Sequence, residues 1–600
     1  MKRFLFLTIL GALMLLSVAV LAAAFALRSA PADRSEALRR SHKGIALMRQ
    51  HLYHAAIQEF EAATRQSPQA LDPWVGLAAV YIRLGNGPKA LEGAVKAVSI
   101  ARDSADVQLV LGRAHWLTRN YADAESAALK ARDLDPFSPQ VEELLLRIYF
   151  DRKEDAKFRE VLDQNSEPSR QVQELAVQFA IRNGEFRRAW ELRNAFDRRE
   201  LEKQVLRTEL ELKRDPRRGE LYPSLIANLI RLGRSSAAIQ AGREYRGSAS
   251  LDLELGKAYW IAGDRDGAVR AFQRASAART HKLSAEVALA AITRDRRHWA
   301  EAFTAEWIEK DYFVLAQLDS LLKTAAPLEK ALVYRYAGLY ASELFNDAAR
   351  EALAALDSEP DPFDAMITLG TAYSRLGRID EAMRYIRQGT DRYPKSADIW
   401  SRLGQLQLAR GDLSGAEESL EKAVRLDPSN ANCLYNYAWF LDQSDRDDEA
   451  VPFYKRAITV SPLSFEAMNN LALIEDAAGR SGRALALLNQ AVDSNPGNEM
   501  AYLNRGNYYA MMGLWHLALA DYASARTMNP FSAPAAMESA RTHMELKRDD
   551  IAIDELISAL DADPAATEAY VLLSTAYKNQ GRETEAAAAL DESRRTRETQ

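Results

Sequence analysis

From Phe363 to Gln600 the chain divides without a gap into seven units of 34 residues, beginning at 363, 397, 431, 465, 499, 533 and 567. A repeat of this length constrains the fold more than any single motif. Each unit is a small supersecondary element that cannot bury its apolar face alone, so neighbours must stack. Position 8 of the unit is small in every copy: Gly370, Gly404, Ala438, Ala472, Gly506, Ala540 and Ser574. Position 20 is always alanine, from Ala382 through Ala416, Ala450, Ala484, Ala518 and Ala552 to Ala586. Position 32 is proline in Pro394, Pro428, Pro462, Pro496, Pro530 and Pro564.

These residue types at these spacings predict a pair of antiparallel helices per unit. Small side chains at positions 8 and 20 let the two helices cross closely, while bulky residues at 4, 7, 11 and 24 fill the seam. Glycine at position 15 (Gly377, Gly411, Gly479, Gly513, Gly581) suits a left-handed helix end, and the proline closes the second helix because it has no N–H to donate. Glycine and proline, 28 and 20 of 600 residues, are scarce; half of the glycines stand at position 8 or 15 of a unit and eight of the prolines at position 32, as punctuation of helices.

The same template recurs at 37, 71 and 105, carried by Gly44, Ala56, Phe60 and Pro68, by Trp74, Tyr81, Gly85 and Ala90, and by Gly112, Ala124, Ala131 and Pro136. Between 139 and 362 it is looser. Units near 219 and 249 are clear, those near 139, 170, 283 and 330 keep only parts of it, and residues 200–218 and 310–329 read as joints. The chain is therefore divided into an N-terminal segment 1–28, three units over 37–138, degenerate hairpins over 139–362 and seven contiguous units over 363–600. This pattern resembles the tetratricopeptide repeat (TPR) family. The resemblance implies an all-α solenoid, an alpha-alpha superhelix whose first helices line a concave face, and a function in binding proteins or peptides.

Phe4 to Leu27 carries no charge for 24 residues, about 36 Å as a helix against a hydrocarbon core of about 30 Å. It reads as a transmembrane anchor or, given Ala24-Phe25-Ala26, a cleavable signal. The short basic start, Lys2 and Arg3, favours an anchored chain with its bulk outside the cytoplasm. Arg28, Arg34, Arg39, Arg40 and Lys43 on the other side would permit a cytoplasm-facing one.

The charge balance, 78 basic against 84 acidic residues, lacks the basic footprint that nucleic acid needs. No phosphate loop, HExxH or GxSxG pattern is present, so no enzyme, cofactor, metal or small-molecule site is expected. The one cysteine, Cys433, fits a buried apolar position, and His51 and His54 fall in an interhelical turn where they would face solvent.

The informative surface is the first helix of each unit, whose positions 2, 5, 6, 9, 12 and 13 line the inner face in this family. Position 6 is asparagine in three consecutive units, Asn436, Asn470 and Asn504, with Asn469 and Asn507 adjoining and Tyr435 and Trp439 offering apolar contact. An amide donates and accepts, so a ladder of them can pair with the backbone of an extended peptide without reading its side chains. This is similar to the asparagine ladder of the O-linked N-acetylglucosamine transferases, here without their catalytic domain. The ladder is short, since Thr368, Arg402, Glu538 and Leu572 occupy the same position elsewhere. The reading is a non-enzymatic scaffold or adaptor, with a role in envelope assembly or export as its setting. A substrate-recruiting subunit of a separate transferase is the alternative.

Overall fold

A computed structural model describes residues 32–164, 168–244, 248–277, 281–303, 311–462, 464–494, 498–529 and 532–599. Every regular element among them is helical. Residues 4–27, the expected anchor or signal, lie outside this set, and among the described residues no helix is long and apolar enough to cross a membrane.

First helices begin at the first residue of each 34-residue unit: Phe363–Arg375, Ala397–Ala409, Ala431–Asp442, Phe465–Ala477, Glu499–Met511, Ala533–Glu545 and Thr567–Asn579. The second helices, from Ile379–Arg392 to Glu583–Thr599, each begin at position 17. The seam is built as the residue sizes demand. Position-20 alanines from Ala382 to Ala552 are fully buried, and a Cβ placed on Gly404 would lie 2.5 Å from Leu420 Cγ at position 24. Position 15 is left-handed throughout, with φ 85° at Gly411. Asp445 (φ 57°) and Lys547 (φ 58°) take the same conformation where no glycine is present, at a cost of about 1–2 kcal/mol each.

Left-handed turn residues also fix the register of the looser stretch. Gly184, Gly233 and Gly263 mark it, and Arg294 (φ 63°) ends the first helix Lys282–Thr293, which begins one residue from the start read near 283. Residues 200–214 are not a joint. They continue the 29-residue helix Phe186–Arg214, whose Leu201, Val205 and Leu212 are buried while its charges face outward. Its N-terminus is capped by Asp319, which accepts from the N–H groups of Phe186 and Arg187 at 2.9 Å each. The second out-of-phase stretch forms the short helices Tyr312–Gln317 and Asp319–Leu322. Asp311 caps the first of these and receives Lys257 Nζ at 2.7 Å.

The described helices group into two compact units, one within residues 173–494 and the other formed by residues 32–172 with 498–599. In the first, one apolar core runs from Ala180 to Leu406. In the second, the helices Tyr53–Gln66 and Glu583–Thr599 meet. His54 donates its backbone N–H and its Nδ1–H (2.6 Å) to the buried Glu592 carboxylate, and His51 Nε2–H donates to Asp561 at 3.0 Å. Tyr53 O–H donates to His51 Nδ1 at 2.8 Å. His51 is thus 4% exposed and not solvent-facing, because the helix Glu583–Thr599 packs against Tyr53–Gln66 and covers the turn.

Candidate peptide groove

Within residues 173–495, successive first helices leave a cavity of about 430 Å³. Its lining follows the repeat: position 2 supplies Asp364, Asp398, Asn432 and Glu466, position 5 supplies Ile367, Ser401 and Tyr435, and position 6 supplies Arg402 and Asn436. Helical geometry places positions 2, 5, 6 and 9 on one face, so repeating the hairpin repeats the wall. Phe303 and Arg335 complete it from the less regular stretch.

Asn436 is half-buried, and its Nδ2 donates to Ser401 Oγ at 3.0 Å, leaving its carbonyl oxygen and second N–H for another partner. Asn470, one unit on, donates Nδ2 to Tyr454 Oη at 3.1 Å, and that hydroxyl in turn donates to Asp442 at 2.9 Å. Each amide is therefore held in one orientation by the preceding repeat. Tyr435 packs its ring 6.1 Å from that of Tyr454, and burial pushes its hydroxyl up to about 12. Asn469 is half-buried beside Asn470, and Trp439 is 37% exposed on the helix that carries Asn436.

Asn504 and Asn507 belong to the other unit. Asn507 Oδ1 accepts from Tyr522 Oη at 2.9 Å, and Asn504 is half-buried next to the Arg505–Asp521 ion pair at 2.7 Å. Asn436 and Tyr435 line the cavity, and Asn470 stands on the following helix, whose Glu466 also reaches the cavity. Cys433 lines it too, 1% exposed, with burial raising its thiol to about 12, as suits a packing residue and not a nucleophile. Among the described residues no group of three or more His, Cys, Asp or Glu side chains is placed to hold a metal.

The sequence reading did not single out Ser401, Gln405 or Arg335. Ser401 and Gln405 hold positions 5 and 9 of their unit and could have been found from the repeat. Arg335 could not, because its helix Pro327–Ala337 begins out of step with the start read near 330.

The tetratricopeptide repeat model matches residues 43–105, 89–139, 328–397, 367–431, 401–464, 440–499 and 537–599, more than half of the chain. The chain belongs to the tetratricopeptide repeat family, a class of all-α repeat scaffolds. It is similar to mouse Tetratricopeptide repeat protein 34, 24% identical over 213 residues, and to Cellulose synthase 2 operon protein C of Komagataeibacter xylinus, 29% identical over 231 residues. These matches cover 35% and 38% of this chain but only 36% and 17% of the relatives. Among solved structures, the APC/C hetero-tetramer Cut9–Hcn1 matches over 86% of this chain and 98% of its own, at 14% identity and a TM-score of 0.36.

Proposed function

We propose that the chain is a non-enzymatic scaffold that holds an extended segment of a partner protein along the groove of residues 363–470. The observation that carries this reading is the cavity wall itself. Backbone-like polar groups, from Asn436, Ser401, Gln405 and Asn432, alternate there with the apolar surfaces of Ile367, Tyr435 and Phe303. An extended peptide presents amides at regular intervals with side chains between them, which is the complement of such a wall. Asn470, with its orientation fixed by Tyr454, extends the row by one repeat; to Asn504, at the same repeat position in the other compact unit, we assign amide pairing within its own unit. Replacing Asn436, Asn470 and Asn504 together with alanine removes about 1 kcal/mol per hydrogen bond and should weaken partner capture while leaving the helix content unchanged. Unchanged capture would make the asparagines ordinary surface.

In this reading residues 4–27 tether the scaffold to a membrane with its bulk outside the cytoplasm, in the assembly or export of envelope components. The uncharged run itself and the similarity to a protein of a bacterial cellulose synthase operon support that setting. A reporter enzyme active only outside the cytoplasm, fused after Gln600, should be active. A silent fusion would reverse the topology.

A further inference from the structure

The turn that joins Glu499–Met511 to Trp515–Met528 departs from its counterparts. Position 16 is charged in the other six contiguous units, as Arg378, Asp412, Arg446, Arg480, Arg548 and Arg582. In three of them the arginine pairs with a glutamate at position 19: Arg378 with Glu381 at 2.7 Å, Arg446 with Glu449 at 2.8 Å and Arg582 with Glu585 at 3.1 Å. A solvated ion pair suits a hairpin end that faces water. The unit that begins at 499 has Leu514 and Leu517 at these two positions, and both are exposed. Met511, 73% exposed, and Met512 stand beside them, and Trp515 is half-buried. From Gly506 to Ala520 the chain has no Asp, Glu, Lys or Arg.

The hairpin does not need these side chains for its own packing. Its seam is filled by Ala518 and Tyr522 at positions 20 and 24, both buried, with a Cβ on Gly506 only 2.7 Å from the Tyr522 ring. The turn also satisfies its own backbone. Met512 N–H donates to the Tyr508 carbonyl at 3.1 Å, Gly513 N–H to Ala510 at 2.9 Å and Leu514 N–H to Tyr509 at 2.9 Å, with Gly513 left-handed at φ 72°. These three amides can therefore enter an apolar medium without losing a partner, which is the condition hydrocarbon sets on any backbone. One repeat on, position 19 is again apolar and exposed, at Ile551. A clustered apolar patch on an otherwise charged set of turns marks a contact.

We propose that the turn Met511–Leu517 inserts into the surface of a lipid bilayer. This rests on the reading of residues 4–27 as a tether. Only Arg28 to Pro31 separate that uncharged run from helix Ala32–Arg49, so the helix starts within about 18 Å of its end. The helix and the apolar turn belong to the same compact unit. A single tether leaves that unit free to tilt, and a second apolar contact holds it against the bilayer. The chemistry favours lipid over a protein partner. A protein interface surrounds its apolar centre with a polar rim, whereas here the apolar side chains stand at the end of a hairpin in a run of 15 residues without Asp, Glu, Lys or Arg. Trp515 at the base of the turn has the apolar body and polar tip that settle at headgroup level.

The full chain is reconstituted with phosphatidylcholine vesicles and carries an environment-sensitive fluorophore on Met511→Cys or on Asn579→Cys, the same repeat position in the same compact unit. Cys433 is buried and leaves the introduced thiol as the labelled one. Emission from 511 should shift to shorter wavelength and be quenched by lipid that bears a nitroxide on its acyl chain, and emission from 579 should do neither. Leu514→Arg with Leu517→Glu gives the turn the charged pair of its counterparts, so it should fold with unchanged circular dichroism. It should cut the quenched fraction about tenfold or more, since burying each half-exposed leucine contributes roughly threefold to tenfold. A shift at 511 without quenching would assign the patch to a second copy or another protein and overturn the lipid contact. Equal quenching at 511 and 579, or no change at 511 in chains that float with the vesicles, would also overturn it and leave the tether standing. Chains that do not float with the vesicles would overturn both.

Discussion

Gly404→Ala sets two opposed effects against each other at one atom. In an open helix the change favours folding by about 1 kcal/mol, because glycine loses more backbone freedom than alanine. At Gly404 the added methyl would sit 2.5 Å from Leu420 Cγ, 2.9 Å from Leu420 Cδ2 and 3.2 Å from the Ala416 carbonyl oxygen. The first two contacts are with a branched side chain buried to 1% exposure, which has little room to retreat. Overpacking of this kind costs about 1–3 kcal/mol, so the net effect should be a loss of up to about 2 kcal/mol. Leu420→Ala alone should cost about 2–5 kcal/mol by leaving a cavity. In the double variant the methyl added at Gly404 occupies part of that cavity and its clash is gone, so the two losses should fall short of additive by about 1–2 kcal/mol. Stacked repeats open locally, so the assay is native-state hydrogen exchange of the Ala397–Ala409 and Leu413–Leu426 amides in all four proteins. Additive losses, or a stabilised Gly404→Ala, would refute the close crossing at positions 8 and 24. Gly482→Ala is the control, since nothing lies within 4 Å of its added methyl and no loss is expected.

Other expectations follow from single sites. Cys433, with its thiol raised to about 12 by burial, should stay unmodified by a thiol reagent at pH 8 and react fully in denaturant; rapid labelling of the folded chain would contradict its placement. Glu592→Ala strands the His54 backbone N–H and Nδ1–H, a loss of about 1–3 kcal/mol. It should raise exchange in Glu583–Thr599 and in Tyr53–Gln66 together, whereas a change confined to one of the two would refute their mutual packing. Tyr454→Phe removes the hydroxyl between Asp442 and Asn470 and should cost about 1–2 kcal/mol locally. An unchanged Asn470 amide environment by NMR would show that the hydroxyl does not orient it.

Much of the fold is legible in the sequence because the repeat encodes it at several levels at once. Alanine at position 20, glycine at 15 and proline at 32 agree in type and spacing, and the helices of 363–599 begin at fixed positions of the unit. Where only one signal survives, the repeat is harder to read. Arg294 takes the left-handed turn without being glycine, so the mark that glycine gives at position 15 elsewhere is missing there. Helix Phe186–Arg214 is long enough to absorb residues that look like a linker, because its charge-rich sequence hides a narrow apolar stripe at Leu201, Val205 and Leu212. The groove residues divide the same way. Tyr435 and Asn436 line the cavity at repeat positions 5 and 6, but Arg335 gains its place only through packing against Phe303 from a degenerate unit. The burial of His51 depends on a helix more than 500 residues away, which no local pattern could signal.

The claim that this wall receives an extended peptide is tested most directly by photo-crosslinking from inside it. A photoreactive residue at Gln405, exposed in the cavity lining, is compared with one at Glu418 on the solvent side of Leu413–Leu426. Against a pool of acetylated, amidated octapeptides, the protein labelled at Gln405 should form adducts that diminish when Asn436 is replaced by alanine, and the one labelled at Glu418 should form few. Equal adducts from both positions, or none that respond to Asn436, would contradict the account.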